Sequence, residues 1–272
     1  MRIRKRFWAN ALTALSLVPT YSGSTTWFRE DLPGGTFPPA GWGLHEQAGT
    51  KPPRIQLVSA PGRPGQNALR FELHPTDLFA GFPRSEVIGP LDGDRKLRYF
   101  EYGRLYSIQT SYYLPPNYQI DLVQRELSFQ IHHDCLGGSP SLAQVFTDGH
   151  IEWHVYSASA PEYCGGDYDK TKLHHRSFDV GPIIRGQWVN LQVTWRPAWD
   201  ATGILRVRMN GKPVVTYRGP TAYNLTNGHP GYLKEGIYKW CFKLPAPTCE
   251  DEKPTRVKQR LVYYGPTLIT VR

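Results

Sequence analysis

The chain has 272 residues and is rich in Gly (26), Pro (24), Trp (8) and Tyr (16). Its aromatic content excludes a disordered chain, no apolar run is long enough for an ordinary membrane-spanning helix, and no repeat builds a collagen, coiled coil or solenoid. The net charge of +9 points to an acidic partner, and nucleic acid, anionic lipid and acidic polysaccharide all fit it. Trp and Tyr faces pack on pyranose rings, which favours the sugar, although the same residues fill β-sandwich cores.

Along the chain, Arg2, Arg4, Lys5 and Arg6 precede a short apolar stretch from Phe7 to Val18, and small residues follow. Residues 1–25 therefore read as a secretory signal peptide, against the alternative of a disordered basic start, and export to a secreted or periplasmic location is expected. Strand signals then recur at Ala68–Leu73, Leu105–Leu114, Leu127–His132, Ile151–Tyr156, Trp188–Trp195, Ile204–Met209, Val214–Tyr217, Gly236–Lys243 and Leu261–Val271. Many alternate apolar and polar residues, the period of a half-buried strand. Asn210-Gly211 between two such runs signals a tight hairpin. No segment keeps a helical period for three turns. Short strands with turn signals at this spacing predict an all-β sandwich or jelly roll, as one domain over residues 26–272.

Four cysteines, Cys135, Cys164, Cys241 and Cys249, include no Cys-x-x-Cys pair, which argues against zinc. Three pairings are open; Cys241–Cys249, closing the loop Phe242 to Thr248, and Cys135–Cys164, bracketing another loop, are preferred, and four free thiols is the alternative.

Three strands carry polar residues at spacing two, which places them on one face. In Arg84-Ser85-Glu86-Val87 these are Arg84 and Glu86. In Ser128-Phe129-Gln130-Ile131-His132 they are Ser128, Gln130 and His132, with Phe129 and Ile131 turned to the core. In the segment from Tyr232 to Trp240 they are Tyr232, Lys234, Tyr238 and Trp240, with Leu233 and Ile237 inward. Glu235 and Lys239 fit an inward face poorly. Each motif alone is common: Arg-x-Glu is usually a surface ion pair, and Tyr beside Lys is ordinary on a strand.

Together, Arg-Ser-Glu-Val, Gln-Ile-His and Tyr-Leu-Lys-Glu-Gly-Ile-Tyr resemble the three signatures of jelly-roll polysaccharide lyases, a group with alginate lyases, glucuronan lyases and heparin lyase I. Tyr112-Tyr113-Leu114-Pro115, Gln187-Trp188-Val189, Trp195-Arg196-Pro197, Met209-Asn210-Gly211 and Gly236-Ile237-Tyr238-Lys239-Trp240 resemble the heparin and glucuronan side more than the alginate side. Alginate lyases usually carry a second Arg where this chain has Ile88, which weighs against alginate.

The resemblance implies β-elimination on a 1,4-linked, glucuronate-type uronate polymer. A base removes the proton on C5, the C4–O bond breaks, and an unsaturated uronate end forms. That proton is hardly acidic beside a charged carboxylate, so the site must neutralise the carboxylate with preorganised donors. The resemblance assigns this to Arg84 and Gln130, with His132 assisting; a guanidinium fork suits a carboxylate. Tyr238 matches the catalytic Tyr, and nearby cations are expected to lower its pKa. If proton and leaving oxygen share one side of the ring, Tyr238 serves as base and acid; if not, His132 is the base and Tyr238 the acid. Lys234, Tyr232, Trp240 and His154 are expected to contact substrate, and Glu86 to hold Arg84 in place.

His133 is expected to be structural and His174-His175 solvated. No motif requires a cofactor. Heparin lyase I can use calcium, but no calcium ligand set carries over. The expected partner is an acidic polysaccharide, met by a monomer, without nucleic acid or membrane. Two rival readings remain. A non-catalytic lectin-like module would not need Gln130, His132 and Tyr238 together. A glycoside hydrolase would need a paired-carboxylate motif that is absent.

Overall fold

The computed structural model describes residues 23–34, 37–46, 50–135, 138–162, 173–242, 249 and 253–272. The expected signal segment and Cys164 fall almost wholly outside these. No α-helix occurs among the described residues. The strands are β1 (Thr25–Glu30), β2 (Gly43–His45), β3 (Ile55–Ser59), β4 (Asn67–Leu73), β5 (Leu78–Phe79), β6 (Phe82–Gly89), β7 (Tyr106–Tyr113), β8 (Glu126–His132) and β9 (Leu142–Thr147). They continue with β10 (His150–Glu162), β11 (His174–Pro182), β12 (Trp188–Arg196), β13 (Ile204–Met209), β14 (Lys212–Arg218), β15 (Tyr223–Leu225), β16 (Tyr232–Tyr238), β17 (Arg260–Tyr264) and β18 (Thr267–Val271).

Two sheets form. The first runs β14-β13-β12-β7-β17-β4-β3, with β18 joining β7 to β1; the second runs β11-β10-β9-β8-β16-β6-β2. The pairings along both are antiparallel, and the short β15 lies parallel to β10. This is the jelly-roll sandwich that the alternating strands predict. In β13, Leu205, Val207 and Met209 are buried while Arg206 and Arg208 are exposed. The apolar positions of the two sheets meet in one core that includes Phe71, Tyr112, Phe129, Trp153, Trp195 and Leu233. Each fully buried side chain of this kind contributes about 1.5–3 kcal/mol. Asn210 and Gly211 both take positive φ (49° and 78°), the turn a two-residue hairpin requires.

Two strand boundaries differ from expectation. The third motif's strand ends at Tyr238 rather than continuing to residue 243. The run Leu261–Val271 is two strands, because Gly265-Pro266 interrupts it and Pro cannot donate to a ladder. Cys241 and Cys249 form a disulfide, and Cys135 is also disulfide-bonded.

The two residues that fitted the pattern poorly are both buried. Glu235 enters the core, where the Thr267 hydroxyl lies 3.0 Å from its carboxylate. Burial pushes its pKa up to about 8, so it stays protonated at neutral pH. Lys239 follows β16 and is fully buried, with Nζ 2.9 Å from Asp121 and donating to the Gln124 carbonyl. Beside it, Arg260 binds Glu126 and Tyr118. Lys239 directly follows Tyr238 in the chain, so these buried pairs anchor the end of β16.

Candidate active site

The outer face of the second sheet gathers the polar motifs. β16 is its centre, with β6 on one side and β8 on the other. Register places Tyr238 opposite Arg84 and Gly236 opposite Glu86. On the other side it places Lys234 opposite Gln130 and Tyr232 opposite His132. Three chain segments far apart in sequence thus meet on adjacent strands.

Gly236 makes the arrangement work. Its φ is +136°, and an added Cβ would lie 2.3 Å from the Ser85 carbonyl oxygen. β16 also shifts register against β8 between Glu235 and Tyr238. Gly236 puts no side chain between Glu86 and Gln130, which reach across β16 so that the Gln130 amide donates to the Glu86 carboxylate. The other Glu86 oxygen lies 3.9 Å from the Arg84 guanidinium. Glu86 therefore holds both Arg84 and Gln130, more than the single partner expected.

The Arg84 guanidinium sits 4.4 Å from the centre of the Tyr238 ring. This cation lowers the phenol's pKa, but burial outweighs it, and the net shift is upward. The sequence expectation of a lowered pKa is reversed, and Tyr238 is a protonated phenol at neutral pH. Lys234 is only 4% exposed, with Nζ 5.3 Å from the Tyr232 ring. Burial and Arg84 lower its pKa, against the pull of Glu86.

His132 Nδ1 lies 2.7 Å from the His133 carbonyl oxygen. A carbonyl only accepts, so Nδ1 carries the proton and Nε2 keeps its lone pair. Burial, with Lys234 and His133 beside it, holds the imidazole well below its usual pKa. His133 is buried against Tyr223, edge to face, as expected for a structural residue. Tyr232 meets Tyr99 edge to face, and Tyr99 stacks on His229 at 4.5 Å. Trp240 lies 5.8 Å from the Tyr238 ring, on the apolar patch of Leu127 and Val145.

Ser128 does not join the group. β8 shifts register against β9 between Leu127 and Phe129. The shift turns Ser128 inward, where its hydroxyl donates to Gln144 at 2.7 Å. His154 lies on the site face, in the register row Lys234–Gln130–Ala143–His154. Two strand spacings, roughly 10 Å, separate it from Gln130. It bonds Glu152 at 2.7 Å and His175 at 3.0 Å. His175, expected to be merely solvated, also stacks on Tyr156 at 4.3 Å.

Sequence reading missed His45. It pairs with Glu86 on β2 and stacks on Phe79 at 4.5 Å. Burial, with Lys234 and Arg84 nearby, lowers its pKa to about 3. Its strand has three residues, too few to show alternation. Among the described residues, no group of three or more His, Cys, Asp or Glu is placed to hold a metal ion.

A family model described as Polysaccharide lyase matches residues 34–265. The chain belongs to that family. The lyase has the fold of the endo-β-1,4-glucuronan lyase from the fungus Trichoderma reesei: TM-score 0.66, 16% identity, covering 90% of this chain and 95% of that one. It also matches an alginate lyase from Corynebacterium sp. at TM-score 0.47 and 15% identity, covering 75% of this chain and 77% of that one. No curated protein matches the sequence. Membership removes the lectin-like and hydrolase readings. Ile88, the departure noted in the sequence, stands opposite Lys234.

Proposed function

We propose that the lyase is exported and cleaves a 1,4-linked, glucuronate-type polysaccharide by β-elimination, leaving 4,5-unsaturated uronate ends. The observation that carries this is the register of β6, β16 and β8, which lines Arg84, Lys234, Gln130 and Tyr238 around Glu86. The substrate choice draws on Ile88 and on the glucuronan lyase whose fold matches.

Arg84 and Lys234 are the cations for the substrate carboxylate. Gln130 gives its amide to Glu86 and its buried carbonyl oxygen has no partner, so in this arrangement it orients Glu86 and is not the free carboxylate donor expected of it. In glucuronate the C5 hydrogen and the C4 oxygen lie on the same side of the ring, so one protein face serves both. Tyr238, kept protonated, is suited to give its proton to the leaving O4. The same-side case was expected to leave both jobs to Tyr238, but a phenol whose pKa burial raises is a poor base. The neutral imidazole of His132, with its free lone pair, therefore takes the role of base and Tyr238 keeps that of acid. His154 and Tyr232 extend the binding face on either side, and Trp240 flanks Tyr238. The disulfide of Cys241 and Cys249 supports export to an oxidising compartment.

The test is near-ultraviolet absorbance over time on glucuronan, heparin, heparan sulfate, hyaluronan, alginate and polygalacturonate. A rise on glucuronan that Tyr238→Phe abolishes is expected. A rise on alginate alone would overturn the substrate; no rise on any polymer would overturn the reading. If His45→Ala loses turnover while His132→Ala keeps it, the base is His45. The acid limb of kcat/KM is expected well below pH 6.5, because both imidazoles keep their neutral form to low pH.

A further inference from the structure

The outer face of the first sheet has its own charge pattern. Six neighbouring strands, β14, β13, β12, β7, β17 and β18, carry no Asp or Glu. They do carry Arg206, Arg208, Lys212 and Arg218, all exposed. Arg206 stands beside Thr216 and Thr194, and Arg208 beside Gln192. Arg208 also donates to the Gly211 carbonyl at the hairpin. The acid nearest to β13 in sequence, Asp200, binds Thr202 within its own turn, and Glu72 on the adjoining β4 is held by Arg70 and His74.

The same face carries an aromatic row. Register places Trp188 beside Tyr113, and Tyr113 beside Tyr263. Ring centres are 5.6 and 6.0 Å apart, and all three rings are half-buried. Arg63 covers Trp188 at 4.1 Å and is fixed by Ser111 and Asn190. Half-exposed rings, amides and unopposed cations on a flat sheet suit a chain of sugar rings with regular negative charges.

We propose that this face is a second, non-catalytic binding site for an acidic polysaccharide, on the opposite side of the sandwich from the site built on β16. The proposal rests on the reading of a uronate polymer as substrate. It keeps the polymer on the enzyme while the distant site cleaves.

The test compares Arg206→Gln/Arg208→Gln/Arg218→Gln with the parent, both carrying Tyr238→Phe for binding. Long-chain glucuronan is titrated at several salt concentrations. The triple variant is expected to bind about tenfold more weakly, with a log–log salt slope smaller by about two to three, since each lost contact removes roughly 0.7–0.9. In the active background, kcat/KM on a short glucuronan oligosaccharide is expected to be unchanged, and on the long polymer to fall. Equal affinity and slope in parent and variant overturn the proposal. So does a variant that loses binding to duplex DNA or anionic vesicles but not to glucuronan. Failure of the substrate reading is separate: it shows in the wild-type chain as no absorbance rise on any uronate polymer.

Discussion

The two outer faces of this sandwich use positive charge in different ways. On the second sheet the cations are sunk: the Arg84 side chain is 13% exposed, beside Glu86. On the first sheet Arg206, Arg208 and Arg218 stand in water, and among the described residues no ion pair holds them. A buried, oriented cation can act on one carboxylate and shift the pKa of its neighbours, as Lys234 and Arg84 do to His45. An exposed cation acts on the mean charge of a polymer, is screened by salt and sets no geometry. On the readings proposed above, chemistry belongs to the first arrangement and retention to the second.

The sharpest way to break this contrast is Tyr238→Phe, which removes one proton donor and leaves every cation in place. Turnover on glucuronan is expected to fall roughly 10²–10⁴-fold, with polymer affinity kept, measured as kcat and as binding by titration. Next is Arg84→Lys, which keeps the charge and loses the fork. A loss of about 10²-fold in kcat/KM is expected; retention of full activity would mean that charge alone suffices there. Third, Glu235→Gln tests the protonated carboxyl under the site. The native fold holds that proton up to about pH 8, whereas the unfolded chain releases it near 4.5. The stability contributed by this group is therefore greatest below pH 4.5 and falls as pH rises towards 8. The variant is expected to lack this fall and to be more stable by a few kcal/mol at pH 8 in denaturant melts. The smallest effect is that of salt: raising it should weaken polymer binding while kcat on a short oligosaccharide holds nearly constant.

Much of this was legible in the chain. Alternation gave the strands, and spacing two placed Arg84, Glu86, Gln130, Lys234 and Tyr238 on a common face. What escaped has physical causes. Period two fails at a bulge, so Ser128 turned inward against expectation. A three-residue strand leaves no pattern, so His45 went unread. Glu235 contradicts its apolar surroundings until Thr267 supplies a partner. The direction of the Tyr238 shift depends on burial, which spacing does not report, and burial outweighed the guanidinium.

Gly236 has a consequence for how such an enzyme can change. Any side chain there would collide with the Ser85 backbone, and β16 could not slide along β6 without moving Tyr238 away from Arg84. The central strand is thus a fixed tooth between two racks, intolerant of insertion, deletion or enlargement. New substrate preferences are expected outside residues 234–238, at Ile88, Tyr232 and His154, which border the locked segment without sitting in it. A library aimed at other uronates should leave residues 234–238 untouched and vary those three.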